Sequence, residues 1–591
     1  MTTANGSQAR IYKGVPYAQP PLGNLRFRKS LPPKPWTGVR QAKSFGDNCL
    51  YTLIPRPRNK AGFSEDCLYA NVYAGMNCTP SNPCPVLAYV YGGANQFGST
   101  SEYDADILVD LYSRKGIVFV DFGYRVGTWG FWHTASKEAA GNWVLWDILQ
   151  ALAWMKKEIR AFGGLESRVT LWGLSSSALD VSAGLVDQLL LQSGSAMSHG
   201  FLLDDLAASK ALALAANCST AEAWDGGKEM AAIADCMRAA PSDVIFEAQK
   251  AVDAQGLLYS LPRLDGEILP KQPLELAEGR EARPLLLGST TKENLAFIVG
   301  EFALRGGNVT AQDLRQRCRL RVTGLAYTHN IDLLVDACFL KYSAYGGWAN
   351  GDWLTPIAQL DSAFEYFAPM AAEAASMVAV GGPTFLYSFD YVKPDAGPEF
   401  PSHAEDMEYD LRKPFFTPFT HVEDFEMREQ YSSYMANFAK FGNPTPWDKN
   451  WDAVDTRDSA NLNFYSIDLP KGTNRRPYHD SDFILFNRIF PALDALPTKA
   501  VSQYIPAALK GGSETGASFW SAQGASAEMQ KAELPKPQLE MTISGVIGAV
   551  VGLVLVVSLV AGMLRYRWSS SSPREANEKS RLLGSWLYED A

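Results

Sequence analysis

The run Gly173-Leu174-Ser175-Ser176-Ser177 follows a stretch from Arg168 to Trp172 that reads as a β-strand. A strand that turns sharply into a helix lifts one hydroxyl above the edge of a sheet, and small residues on both sides of that serine relieve crowding in the strained turn. Ser175 stands at the lifted position, flanked by Gly173 and by Ser177, which is small although it is not glycine. Such a turn serves nucleophilic attack on an acyl carbon. A serine hydroxyl attacks at neutral pH when a general base takes its proton, and 6 histidines are present to do so. Attack also builds negative charge on the acyl oxygen, which demands preorganised N–H donors. On its own the pentapeptide is more often a chance match than such a turn.

The segments around it suggest what would hold such a turn. Apolar, β-rich runs, Pro85 to Tyr91, Gly116 to Gly123 and Val169 to Trp172, alternate with an amphipathic stretch from Trp143 to Ala161. That alternation predicts an α/β fold with a large, mostly parallel central sheet flanked by helices. With 47% hydrophobic and 20% charged residues over 591, and 15 Trp, 25 Tyr and 29 Phe, there is ample material for a packed core. A net charge of -10 disfavours a nucleic-acid partner, which needs a basic face.

Met541 to Leu564 carries no charge and would span roughly 36 Å as a helix, enough to cross a bilayer. Arg565 and Arg567 follow at once while Glu540 precedes, so the positive-inside rule predicts a single-pass type I protein with its large domain extracellular or lumenal. The expected organisation is a catalytic domain over 1–495, a Ser-, Gly- and Pro-containing stem over 496–540, the membrane helix over 541–564 and a cytoplasmic tail over 565–591. The opening residues contain no apolar signal segment, which this reading takes as a truncated start. Gly548 and Gly552 have the spacing of a helix-packing motif, so a homodimer is an alternative. Sequons at Asn5, Asn77, Asn217 and Asn308, and 8 cysteines without a zinc-like pattern, suit glycosylation and disulfides in an oxidising compartment.

Several blocks occur in a fixed order: Gly14-Val15-Pro16-Tyr17-Ala18, Leu25-Arg26-Phe27, Ser64-Glu65-Asp66-Cys67-Leu68-Tyr69, Tyr124-Arg125-Val126-Gly127, Gly141-Asn142-Trp143 running to Leu152, Phe162-Gly163-Gly164, and Gly442-Asn443-Pro444. Together with the Ser175 turn, the chain from Ile11 to Phe490 resembles the type-B carboxylesterase and cholinesterase family, which has the α/β-hydrolase fold. The resemblance implies Ser175 as nucleophile, His403 in Pro401-Ser402-His403 as general base, and Glu293 as the acid that orients it. It further implies an oxyanion hole from the backbone N–H groups of Gly93, Ala94 and Ser176, and disulfides Cys49–Cys67 and Cys218–Cys236. The pairing of Cys78, Cys84, Cys318 and Cys338 stays open, although Cys78 and Cys84 are placed to close a small loop. No metal or organic cofactor is implied, and the expected partner is a small-molecule ester.

Four positions depart from the family pattern. Leu174 stands where a Glu is common, which argues against a cationic substrate. Ala94 and Ser177 replace glycines, and Asn294 follows Glu293 where a glycine is usual. The segment from Ser175 to Gln192 is also short, as though a piece were missing after Val181-Ser182, which would weaken the helix behind the nucleophile. Alternative readings are an inactive adhesion ectodomain resembling neuroligins and an acyltransferase using an acceptor other than water.

Overall fold

The computed structural model describes residues 1–497 except 4, 53–60, 182–185, 199–205, 256, 258–261, 307, 326, 347–350, 395–400 and 412–418. The expected stem from 498 onward, the membrane helix and the tail lie outside the described residues. Among the described residues no helix is long and apolar enough to cross a membrane.

In chain order the strands are β1 (Ala9–Pro16), β2 (Asn48–Cys49), β3 (Phe63–Ser64), β4 (Tyr69–Gly75), β5 (Cys84–Val90), β6 (Val118–Phe122), β7 (Gly164–Leu174), β8 (Gln188–Gln192), β9 (Leu285–Thr290), β10 (Thr384–Phe389), β11 (Phe464–Ile467) and β12 (Thr473–Arg475). Ten of them form one sheet in the order β1-β4-β6-β5-β7-β8-β9-β10-β11-β12, and β2 pairs with β3 apart from it. From β6 to β11 every neighbour is parallel, whereas β1, β4 and β12 run antiparallel at the two edges. The expected parallel sheet is present.

The central strands are hydrophobic along their whole length because helices cover both faces. Every residue of β6, β8, β9 and β10 is buried. The helix Trp143–Glu158 buries Trp143, Val144, Leu145, Ile148, Ala151, Leu152, Trp154 and Met155 and keeps Lys156 and Lys157 in its last turn, where the helix dipole favours cations. A short 3₁₀ turn, Ile159–Phe162, then leads into β7, so the helix expected to reach Ala161 tightens before its end.

Two buried ion pairs join sequence blocks that are far apart in the chain. Arg26 grips Glu65 through two bonds of 2.7 Å. Arg125 grips Asp147 through bonds of 2.8 and 2.7 Å, and its own backbone N–H donates to the same carboxylate at 3.0 Å. Each pair ties two blocks to one another, because a buried charge that lost its partner would cost several kcal/mol, on the order of 3–5.

Four disulfides are formed: Cys49–Cys67, Cys78–Cys84, Cys218–Cys236 and Cys318–Cys338, with Cα separations of 4.9, 5.3, 5.5 and 5.8 Å. The two implied by the resemblance are present, and the pairing left open resolves into the two local loops. The four sequon asparagines, Asn5, Asn77, Asn217 and Asn308, are exposed.

Candidate active site

Ligand sites in parallel sheets form beyond the carboxyl ends of the strands, and here the segments following β5, β7, β8 and β9 meet there. Beyond β7 the chain turns at Ser175, whose φ of +57° lies in the left-handed region that ordinary residues avoid. The turn is anchored by Ser175 N–H donating to Gln192 O at 2.8 Å and by Ala178 N–H donating to Ser175 O at 3.0 Å. Gly173 is required there, because a Cβ would come within 2.6 Å of Ser177 O and 2.7 Å of Ala178 Cα.

Ser177 explains its own departure from the glycine pattern. Its φ is not positive, so nothing in the backbone demands glycine. Its fully buried hydroxyl accepts from Leu174 N–H at 2.9 Å and shares its proton between Val90 O at 2.7 Å and Leu174 O at 2.8 Å. The replacement stitches the elbow to the end of β5. The helix Ser176–Val181 begins directly after the nucleophile, and the suspected gap after Val181 falls largely outside the described residues. Strand β8 nevertheless pairs parallel to β7 along Thr170–Leu174.

Ser175 Oγ lies 2.9 Å from His403 Nε2, and His403 Nδ1 lies 2.5 Å from Glu293 Oε2. The three side chains that the sequence singled out thus form one hydrogen-bonded line across 228 and 110 residues of chain. Glu293 is fully buried, and its other oxygen accepts from Ser193 Oγ at 2.6 Å and from Thr290 N–H at 2.8 Å. The segments carrying Glu293 and His403 are zipped together: Lys292 N–H donates to Pro401 O at 3.1 Å, His403 N–H to Glu293 O at 3.0 Å, and Ser402 Oγ to Glu293 O at 3.2 Å. Phe297 and Tyr366 pack their rings against the imidazole.

Burial opposes the charged imidazolium, yet the Glu293 carboxylate and its hydrogen bond outweigh it, with Asp406 and Glu365 adding to them. His403 therefore titrates above the ordinary histidine value. Asp406 is held by Gln192 Nε2 at 2.7 Å and Tyr431 OH at 3.1 Å, and burial pushes its carboxyl up to about 6. Asn294, the unexpected neighbour of Glu293, donates its N–H to Ser362 Oγ at 2.9 Å and its side-chain amide to Glu365 at 3.0 Å, and Glu365 is ion-paired with Arg321.

The loop after β5 passes so close to the elbow that a Cβ on Gly92 would meet Leu174 O at 2.8 Å and Ser175 Cβ at 3.1 Å. Gly93 has φ +128°, and Ala94 and Asn95 follow at +52° and +57°. Ala94 therefore adopts the left-handed conformation expected of the glycine it replaces. Among the described residues none of the N–H groups of Gly93, Ala94 and Ser176 is spent on an internal hydrogen bond. Leu174, before the nucleophile, is buried and brings no charge. No group of His, Cys, Asp and Glu suited to a metal ion occurs among the described residues.

Sequence reasoning missed Ser193, Ser402, Asn95 and Asp406 as parts of the site. Ser193 follows Gln192 directly, and Asp406 lies three residues after His403. Their roles depend on contacts across about a hundred residues or more.

A mostly parallel sheet with a strained serine elbow and a serine–histidine–carboxylate line at its carboxyl edge defines an α/β-hydrolase. The model of the carboxylesterase family matches residues 1–483, and the chain belongs to that family. It is 29% identical to gut esterase 1 of Caenorhabditis briggsae over 503 residues, covering 78% of this chain and 86% of that protein. Carboxylesterase 4A of Bos taurus is 29% identical over 467 residues, 73% of this chain and 83% of its own. Acetylcholinesterase 1 of Caenorhabditis briggsae is also 29% identical, over 507 residues, 77% of this chain and 78% of its own. Family and relatives support carboxylic ester hydrolysis.

Proposed function

We propose that the chain is a serine carboxylesterase working through an acyl-enzyme on Ser175. The observation that carries this is the line from Ser175 Oγ through His403 to Glu293, at 2.9 and 2.5 Å. Ser175 Oγ bonds to the acyl carbon while its proton passes to His403 Nε2. The N–H groups of Gly93, Ala94 and Ser176 receive the oxyanion, and Glu293 stabilises the imidazolium. Collapse breaks the carbon–oxygen bond to the alcohol, which leaves with the proton from His403. Water, deprotonated by His403, then attacks the acyl carbon, and the acid departs as Ser175 regains its proton. The uncharged Leu174 beside the nucleophile favours neutral esters over cationic ones.

The full chain, produced under oxidising conditions, is expected to hydrolyse p-nitrophenyl butyrate and to be labelled at Ser175 by a fluorophosphonate. A wild type no faster than Ser175→Ala, with no adduct on a folded chain, would overturn the reading and favour an adhesion role. Release of a transferred ester instead of free acid would point to an acyltransferase.

The domain is further proposed to lie outside the cell or in the secretory lumen, tethered through 541–564. Four disulfides and four exposed sequons support this. A mass decrease on glycosidase treatment, with retention in membranes after alkaline extraction, is the expected result.

A further inference from the structure

The oxyanion loop and the nucleophile elbow come from different parts of the chain, and a hole built from both requires that they keep one spacing. Asn95 sits where they meet. It is fully buried, and its backbone is held from both sides: its N–H donates to Ser176 Oγ at 2.9 Å, and its carbonyl accepts from Gly127 N–H at 2.7 Å. Its side-chain amide reaches Asp180 on the elbow helix through a long bond of 3.5 Å. The preceding residue is Ala94, which like Asn95 has a positive φ. Two consecutive non-glycine residues in that region persist only where their surroundings hold them.

We propose that the Ser176 hydroxyl is a strut that couples the two halves of the oxyanion hole. Ser176 offers its backbone N–H to the oxyanion from the elbow side, while its side chain holds Asn95 and so keeps the N–H groups of Gly93 and Ala94 in place on the loop side. The hydroxyl is a positioning group and does not touch the substrate. It acts at the stage where charge is greatest, so its loss lowers kcat and leaves ground-state binding nearly unchanged. The inference rests on the esterase reading.

Ser176→Ala keeps the backbone donor and removes only the strut. Its kcat on p-nitrophenyl butyrate is expected to fall about 10-fold with KM within about 2-fold, a fraction of the 10²–10³-fold that loss of a whole oxyanion donor costs. The affinity of a trifluoromethyl ketone, whose serine adduct places an oxyanion in the hole, should fall by the same factor. Asn95→Gly tolerates the positive φ yet frees the loop, and should produce a similar fall. Asn95→Gly keeps the N–H that meets Ser176 Oγ and removes the side-chain tie to Asp180; because both changes loosen the same junction of loop and elbow, the double variant should lose much less than the product of the two. Thermal unfolding of each variant separates a loosened site from a lost fold. Full kcat and ketone affinity in Ser176→Ala, or strictly multiplicative losses, would overturn the strut while leaving the esterase reading intact. A wild type without Ser175-dependent turnover would overturn both.

Discussion

The two halves of the site are held by different means. On the acid–base side, the segments carrying Glu293 and His403 are joined by backbone hydrogen bonds, Lys292 N–H to Pro401 O and His403 N–H to Glu293 O. On the nucleophile side the backbone bond from Ser175 N–H to Gln192 O is joined by side chains: Ser177 ties the elbow to Val90 and Ser176 ties it to Asn95. A backbone contact survives most substitutions, whereas a side-chain contact is lost with one. Three of the four departures from the family pattern, at Leu174, Ala94 and Ser177, gather in the half where side chains add to the fastening, and the fourth, Asn294, stands beside Glu293.

The largest test bears on both halves at once. Ser175→Ala should reduce kcat by about a million-fold, the scale on which smaller effects are read, checked by active-site-titrated ester hydrolysis. Glu293→Gln probes the acid–base half and should cost about 10⁴-fold in kcat. Because Glu293 is the main force lifting His403, the acid limb of kcat/KM should lie above the ordinary histidine range in the wild type and move to lower pH in the variant.

Stability tests follow at a smaller scale. Ser177→Ala leaves Val90 O and Leu174 N–H without their buried partner and should cost about 1–3 kcal/mol in denaturant unfolding. Ser402→Ala, in the half held by backbone, should cost less than about 1 kcal/mol and change kcat less than about 3-fold. Equal losses in the two variants would erase the distinction.

Buried carboxyls also set a response to pH. Burial raises the Asp180 carboxyl on the elbow helix to about 8, and Asp121 on β6 to about 7. A folded-state pKa above the unfolded one gives stability that is present at low pH and lost as pH rises through the folded value. Unfolding free energy should therefore fall by on the order of 4 kcal/mol between pH 6 and pH 8.5, and Asp180→Asn should flatten much of that slope. The smallest effect belongs to Ala94→Gly, which relieves a left-handed alanine and should stabilise by about 0.5–1 kcal/mol with kcat changed only a few-fold.

What could be read from the sequence was local or lay within ordered blocks. The elbow at Ser175 and the apolar runs that became β5, β6 and β7 announce themselves within a few residues. Glu293 and His403 became legible only through resemblance, since nothing near either reveals a partner 110 residues away. Ser193 and Asn95 escaped notice because their contacts arise only when β5, β7, β8 and β9 lie side by side. At the sheet edge, β12 is polar and exposed throughout, so no hydrophobic pattern marks it. The pairing of Cys318 with Cys338 followed from the packing of the two helices that carry them, Ala311–Gly324 and Ile331–Ser343.

The disulfides have a consequence for how the chain is made. Taken in order along the sequence, each cysteine bonds to its next neighbour, the first with the second through to the seventh with the eighth, across 18, 6, 18 and 20 residues. No bridge encloses another, so in a chain made amino end first both partners of each bridge are present before the next pair is made. Oxidation in chain order would yield the native set with no reshuffling, and each of the three longer loops removes about 3 kcal/mol of disorder from the unfolded chain.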